Sequence, residues 1–487
     1  MFVNLRSFFQ LPARRGLATL ALLALLGGCQ VAAPRLTPPR TARVPVAFAT
    51  ATATASADSA GIGQLSWRRF FADSALVALI DTAVQANPDL LIAMQRVEVA
   101  RAGVLVARGA LLPSVSAVAT GGFDRFADYA ALGQTSTNDG RELPNGVPNF
   151  FLGLSSAWEI DLWGKLRSRR EAAFARLLGS EQGRRLVQTA LVAQVASLYY
   201  ELLTYDNQLV VLGKNGALQE RAVEIVKLQK KGGRATELAV QQFAAQLLRT
   251  RSLEVEADQR IAATENALNR LLGRYPQPIR RGRPLTAQVV PAAVAAGLPS
   301  AMLLRRPDVQ QAELELVATR ADVAAARAAF LPSLTLASYL GVNAYSPALL
   351  LPTPSSLTLG LLAGLTAPVL NRSLVKASYG RARAQQQAAY LGYQKAVQTG
   401  FEEVTTNLRG LDNYRRVADL RQQEVAALTR AVNVSNTLYR ASYANYLEVV
   451  TAQRSVLDAE LSLTAARREQ FLLLTDLYRA LGGGWSM

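Results

Sequence analysis

The sequence contains no histidine and only one cysteine, Cys29, in 487 residues. Those two shortages remove imidazole acid–base catalysis, Cys/His zinc sites and intrachain disulfides together. Serine, lysine and carboxylate chemistry stays formally open, but no such groups are spaced as a reacting constellation. The expectation is therefore no enzyme, no metal site and no cofactor. Proline is missing from two long stretches, 149–275 and 369–487, although twenty prolines occur elsewhere. With no proline to remove an N–H or clash with the preceding turn, helices can run uninterrupted there. Acidic residues are the scarcer charge: 53 Lys and Arg face 36 Asp and Glu, for a net +17. The basic residues, among them Arg167, Arg169, Arg170, Arg184, Arg185, Arg415 and Arg416, are scattered among Glu and Gln. They read as solvated helix faces, with no nucleic-acid partner.

What is present is said twice. Asn87-Pro88-Asp89-Leu90 leads to Leu112-Pro113-Ser114-Val115, and Arg306-Pro307-Asp308-Val309 leads to Leu331-Pro332-Ser333-Leu334, both landmarks displaced by 219 residues. Leu272-Gly273 recurs as Leu481-Gly482 at a displacement of 209. A solenoid repeats every 20–50 residues or so, so this is a duplicated domain, expected over 67–285 and 286–487. Each copy reads helix, hairpin, then a very long helical hairpin.

The chain opens with a different pattern. Arg14-Arg15 precede an apolar run from Leu17 to Leu26 and then Gly27-Gly28-Cys29. A basic start, a short apolar core and small residues before a cut site make residues 1–28 a secretory signal. Its core is far short of the roughly 20 residues needed to span a bilayer. Leu26-Gly27-Gly28-Cys29 resembles a bacterial lipobox, which implies a diacylated Cys29 at the mature N-terminus. Gln30 after it then implies delivery to the outer membrane. Residues 29–66, rich in Ala, Thr and Pro, form an extended tether.

Candidate helices at 165–231 and 372–440 would each be about 100 Å long at 1.5 Å per residue, with partners of about 58 Å at 234–272 and 443–481. Gly232-Gly233 breaks the first hairpin because glycine accepts the left-handed conformation, and the repeat places Ala441-Ser442 at the second break. In the last helix Val450, Leu457, Leu461, Phe471, Leu474 and Tyr478 form a coiled-coil-like stripe that Thr464 and Arg468 interrupt. Shorter helices are expected at 73–109 and 300–330, of a length to stack end-on with the 58 Å helices.

Between the helices run segments of period two. At 150–162 one face carries Phe150, Leu152, Leu154, Trp158, Ile160 and Leu162, and the other Phe151, Gly153, Ser155, Ala157, Glu159 and Asp161. Segments 333–342 and 357–365 alternate similarly, and 114–120 does so more weakly. Strands of about ten residues, apolar on one side and small or polar on the other, suit an outer-membrane barrel. Four strands cannot close one, and lipid tolerates no open edge, so the barrel is expected to be shared: eight strands from two chains or twelve from three.

Trp158-Glu159-Ile160-Asp161-Leu162-Trp163-Gly164-Lys165, Leu298-Pro299-Ser300 through Leu304-Arg305-Arg306-Pro307-Asp308, and Ala480-Leu481-Gly482-Gly483-Gly484-Trp485 resemble the TolC-like outer-membrane factors, in their lipoprotein, NodT-like branch. The resemblance runs from about Trp67 to Trp485. It implies a fold that is mainly α with membrane β: a homotrimer whose twelve-stranded β-barrel, four strands per chain, continues into a twelve-helix periplasmic α-barrel with an equatorial domain. It implies an outer-membrane exit duct for small molecules such as drugs, lipid-anchored and extending into the periplasm, with a periplasmic adaptor and an inner-membrane resistance-nodulation-division (RND) transporter as partners. Type I protein secretion and metal-ion export are further uses of such a duct, and a structural coiled-coil lipoprotein is the reading from another class. The resemblance also makes the hairpin tips the adaptor contacts, here Gly233 and Leu238 with Ser442 and Leu447. The leucines could instead cap the coiled-coil interior. It implies a periplasmic gate at the second tip, where Tyr439 and Glu448 fall on the family's tyrosine and first acid. The sequence departs from one well-known member at Ala444, where an arginine linker would stand, and at Thr451, where a second acid would. The plainer roles for Tyr439 and Glu448 are packing and a solvated helix position.

Overall fold

The computed structural model describes residues 62–125, 147–291, 302–370 and 372–485. Cys29, the signal segment and most of the tether lie outside these residues. The first repeat comprises α1 (Ser74–Ala86), α2 (Pro88–Gly109), β1 (Ser114–Asp124), β2 (Val147–Ile160), α3 (Lys165–Lys231) and α4 (Glu237–Leu271). The second comprises α5 (Pro307–Ala328), β3 (Ser333–Ala344), β4 (Leu357–Thr366), α6 (Ser373–Arg440) and α7 (Tyr446–Ala480).

The proline-free stretches fold as the two long helices, and their ends agree with the sequence reading to within a residue. The single helix expected at 73–109 is corrected to two. Asn87 caps α2, its carboxamide oxygen accepting from Leu90 N–H at 3.0 Å, and Pro88 sits at the first helical position where it has no N–H to lose. The helix expected at 300–330 is likewise interrupted: Met302 and Leu303 are helical, the chain turns at 304–305, and α5 begins at Pro307. In both places a proline opens a second helix after a break that the sequence reading ran through.

The four strands form one antiparallel sheet in the order β1-β2-β3-β4. Register aligns the apolar face across it: Leu154 pairs with Leu340, and Leu340 with Leu359; Leu152 pairs with Val342, and Val342 with Leu357; Ile160 pairs with Leu334, and Leu334 with Leu365. A one-residue slip would carry all of these to the other face. Leu152, Leu154, Leu340, Leu359 and Leu365 are exposed in the single chain, as a lipid-facing surface requires. The opposite face holds Phe151 edge-on to Tyr339 at 6.0 Å. These rings lie where glycines leave room: a Cβ on Gly360 would stand 2.4 Å from the Tyr339 ring, and one on Gly153 2.5 Å from Gly341 Cα.

Below the sheet, α3 runs beside α2 and α5 and then beside α4 and α7, while α6 runs beside α5 and then α7. The short helices stack end-on as expected, and the duplicated landmarks are the joint. Asn87 Nδ2 donates to the carbonyl of Leu271, the last residue of α4, at 2.9 Å. Arg306 Nη1 donates to the carbonyl of Ala480, the last residue of α7, at 3.0 Å. At each joint the glycine after the helix has positive φ, 66° at Gly273 and 82° at Gly482. A Cβ on Gly273 would lie 2.3 Å from the Ala86 carbonyl oxygen, and one on Gly482 3.0 Å from the Arg305 backbone. No other residue type meets both demands. Although α3 is long and apolar enough to cross a membrane, 61% of its apolar window is buried inside the protein. It is the core helix of the bundle.

Candidate functional site

Three levels along the long axis carry the side chains that matter. The first is the joint between sheet and helices, built by the Trp158–Lys165 motif. Asp161 accepts from the N–H groups of Leu166 at 3.0 Å and Arg167 at 2.9 Å, so its carboxylate closes the free N-terminus of α3. Burial pushes the Asp161 carboxyl up, but these two bonds and the Arg167 guanidinium outweigh it and hold it below its ordinary range. Trp158 Nε1 donates to Leu111 O at 3.0 Å and Trp163 Nε1 to Pro332 O at 2.7 Å, tying the ends of β2 to the entries of β1 and β3. Lys165 pairs with Glu159 across the turn. The sheet is thereby fixed to the helices without a flexible linker.

At the waist, Asp73 caps α1 through Ala75 N–H at 2.9 Å and accepts from Tyr199 Oη at 2.9 Å, Gln288 Nε2 at 2.7 Å and Arg283 N–H at 3.2 Å. Tyr199 Oη in turn accepts from Gly282 N–H at 2.8 Å. Burial drives the Asp73 carboxyl up, yet the four donors together keep it below its ordinary range. Burial raises the Tyr199 phenol too, and there it prevails, keeping the hydroxyl protonated as the donor that Asp73 needs. Arg281 bridges Asp206, Nε–Oδ2 3.0 Å, and Glu265, Nη1–Oε1 2.5 Å. The segment after α4 is thus riveted to α1 and α3.

The tips form the third level. Both turns end their helix with the same pair of backbone bonds. In the first, Gly233 N–H donates to Lys230 O at 3.0 Å and Arg234 N–H to Gln229 O at 2.8 Å; in the second, Ser442 N–H donates to Tyr439 O at 3.1 Å and Tyr443 N–H to Leu438 O at 2.9 Å. Gly233 takes φ 71°, and Ser442 takes φ 63° although it is not glycine. Leu238 and Leu447 each lie just past the cap of the ascending helix, 60% and 51% exposed. Within one chain they do not cap the coiled-coil interior. That role belongs to Val223, Val226, Ala239, Val240, Phe243 and Val449, with Tyr439 packed against them. Tyr439 also donates its hydroxyl to Gln229 Oε1 at 2.7 Å, joining the two tips, and burial raises its phenol above the ordinary value. Glu448 is exposed and completes a capping box: its carboxylate accepts from Asn445 N–H at 3.4 Å while Asn445 Oδ1 accepts from Glu448 N–H at 3.3 Å. Tyr439 and Glu448 therefore stand on the same tip but do not touch as a pair. Sequence reasoning missed Gln229 and the Asp73–Tyr199 pair, whose partners lie far away along the chain.

A sheet whose edge strands β1 and β4 have, among the described residues, no partner on their outer sides and whose apolar face is exposed, rigidly continued by hairpins of about 100 Å, is one sector of a membrane duct. The profile of the outer membrane efflux protein family matches residues 79–274 and 298–483. The chain belongs to that family. It is similar to a toluene efflux pump outer membrane protein of Pseudomonas putida, 32% identical over 482 residues that cover 97% of this chain and 96% of the relative. The antibiotic efflux pump outer membrane protein of Pseudomonas putida is 32% identical over 476 residues, with the same coverage. The open-state outer membrane channel MtrE of Neisseria gonorrhoeae superposes with a TM-score of 0.79 at 26% identity, over 93% of this chain and 98% of that one. The fold is the TolC-like trimer, so three chains rather than two close the barrel, and the protein is an efflux channel of the outer membrane.

The waist gives a pH-dependent expectation. The folded Asp73 carboxyl is held below its unfolded value of about 3.9. Its contribution is complete above that value and disappears as pH falls through the folded one. Asp73→Asn should cost about 2 kcal/mol at neutral pH, the loss of charge-assisted bonds. Thermal unfolding of the detergent-purified trimer followed by circular dichroism should show wild type and variant converging as pH drops below about 3. A constant gap across that range would assign the loss to packing rather than to the carboxylate.

Proposed function

We propose that the chain is the exit duct for small molecules such as drugs and solvents, supplied by an inner-membrane RND transporter through a periplasmic adaptor. The observation carrying this reading is the continuity of a lipid-facing sheet and tunnel-forming hairpins in one chain, in a family whose full-length relatives are named for toluene and antibiotic efflux. The duct performs no chemistry; the transporter supplies the energy. In this reading Leu238 and Leu447, on turns shaped by Gly233 and Ser442, meet the adaptor, and their exposure supports it. Tyr439 and Glu448 belong to the gate, with Gln229 as the tyrosine's tie. Cys29 is the lipid anchor, where two or more acyl chains give the stable attachment that one does not.

The docking assignment is tested in a host lacking its own duct, supplied with this chain, an adaptor and a transporter. Leu238→Asp combined with Leu447→Asp should raise drug sensitivity roughly tenfold or more, the effect of burying two charges in a contact. Trimer yield should not change. A collapse of yield would return both leucines to packing.

Gating is read by single-channel conductance in planar bilayers. Tyr439→Phe deletes a hydrogen bond worth about 1 kcal/mol and should raise the open fraction about fivefold. Glu448→Ala should abolish cation preference, since three copies around a threefold axis attract cations. If neither property moves, these residues have no part in the gate.

For the anchor, metabolic labelling with a fatty acid should mark wild type and leave Cys29→Ser unmarked. Persisting label on the variant would sink the assignment.

A further inference from the structure

The end of α4 and the waist segment that follows it carry charge of one sign only. Residues 266–291 contain Arg270, Arg274, Arg280, Arg281 and Arg283 and not one aspartate or glutamate. Arg281 is neutralised by Asp206 and Glu265. Arg274 reaches only a neutral amide, Nε to Asn269 Oδ1 at 2.8 Å. Among the described residues the guanidinium groups of Arg270, Arg274, Arg280 and Arg283 have no carboxylate in ion-pair range. Arg274, Arg280 and Arg281 line an open cavity of about 530 Å³ against the first turns of α1, at Ser74, Ala75 and Ala78.

This concave cationic surface is preformed. Pro276, Pro278 and Pro284 stiffen the segment, and its backbone is pinned to Tyr199 and Asp73 through Gly282 and Arg283. The fit at Gly282 is so close that a Cβ would lie 2.1 Å from Asp73 Oδ1. Unpaired arginines held apart on a rigid loop repel one another and gain only when an anion arrives. Beside Arg274, Tyr275 is 92% exposed. A bare aromatic flanked by cations suits a ligand with both sugar faces and carboxylates.

Depth selects the source. Asp206, the partner of Arg281, is 41 residues beyond Lys165 at the sheet joint, which is about 60 Å along a helix. Anionic lipid headgroups act over a Debye length of about 8 Å, so the membrane surface does not reach this level. The anionic polymer that lies deep in the periplasm is the cell wall. We propose that the arginine surface of the waist, with Tyr275, binds peptidoglycan through its peptide carboxylates and sugar faces, clamping the duct in the wall. This inference uses the outer-membrane orientation of the family and is independent of what the duct exports.

The test is co-sedimentation of the full-length trimer in mild detergent with isolated, protein-free sacculi at about 0.15 M salt. Wild type should pellet, and less so as salt rises. The triple substitution Arg274→Gln, Arg280→Gln, Arg283→Gln should weaken binding about tenfold, as the loss of three exposed charge contacts implies. Tyr275→Ala should weaken it as well. Sacculi whose carboxyls have been amidated should bind wild type no better than the triple variant binds native sacculi. Wild type remaining in the supernatant, or equal pelleting of the triple variant or of amidated sacculi, overturns the proposal; the first result would leave an acidic protein as the partner. Light scattering establishes that the triple variant is still a trimer. If it is not, Arg280→Gln alone, at an exposed side chain with no carboxylate partner among the described residues, should lose roughly twofold in affinity, and equality with wild type there overturns the proposal.

Discussion

The joint between stacked helices is the constraint on which the rest depends. A helix of nearly seventy residues needs a partner along its whole length, and neither repeat has one in a single piece. Each assembles it from two helices placed head to tail, α4 with α2 and α7 with α5. Such a break would expose free carbonyls at one end and free N–H groups at the other. Asn87 answers both with one carboxamide, accepting from Leu90 N–H and donating to Leu271 O. The second repeat answers with charge. Arg306, buried at 4% exposure, donates to Ala480 O and is held by Asp308, Nε–Oδ1 3.0 Å, and by Glu403, Nη1–Oε2 2.7 Å. Head-to-tail stacking also aligns the helix dipoles favourably. Gly273 and Gly482 let the chain leave each joint without a side chain that would wedge it open.

That constraint explains why so much of the fold was legible. The landmarks Asn-Pro-Asp, Arg-Pro-Asp and Leu-Gly recur because each is one side of the same joint, so the repeat spacing located the elements even where local signals were poor. Ser442 is the sharpest case: a serine announces no left-handed turn, yet its position opposite Gly233 placed the second tip correctly. The break at Asn87 was read through, because Pro88 at a first helical position is compatible with continuing the helical pattern on either side. The waist was not legible at all. Asp73 meets Tyr199 across 126 residues and Arg283 across 210, and pairing at such distances leaves no periodicity or motif. The same holds for Gln229 and Tyr439, 210 residues apart. The reading of Cys29 rests on sequence, since it falls outside the described residues.

Duplication supplied two hairpins, but the tips have diverged where it matters. Ala239 and Glu448 occupy equivalent places just inside the ascending helices, 209 residues apart. Ala239 is fully buried between hairpins, while Glu448 is exposed and engaged with Asn445. Leu238 and Leu447, one position earlier, have stayed the same and both remain exposed. The trimer therefore presents six similar apolar knobs, while the carboxylates beside them differ in setting: Glu237 pairs with Lys230 at the first tip, and Glu448 closes the Asn445 cap at the second. Apolar contact chemistry is shared by both tips, and the partner of the neighbouring carboxylate distinguishes them.

The packing above the tips also sets how tightly they are coupled to the tunnel. Val223, Phe243 and Val449 belong to the tip cluster, and Leu212, Ala257 and Leu457 belong to the next apolar cluster up the same three helices. Between them each helix carries a glutamine, Gln219, Gln246 and Gln453, and each has a buried amide atom with no partner among the described residues. An unsatisfied buried amide atom costs about 1–3 kcal/mol, so this level contributes far less cohesion than the apolar layers on either side. The tip is then a separately packed unit joined to the tunnel through a weak polar layer, and local opening follows the weakest layer of a structure. A waist held by the charge-assisted bonds of Asp73 and Arg281 and a tip joined through unpartnered amides thus differ in how strongly each is tied to the tunnel.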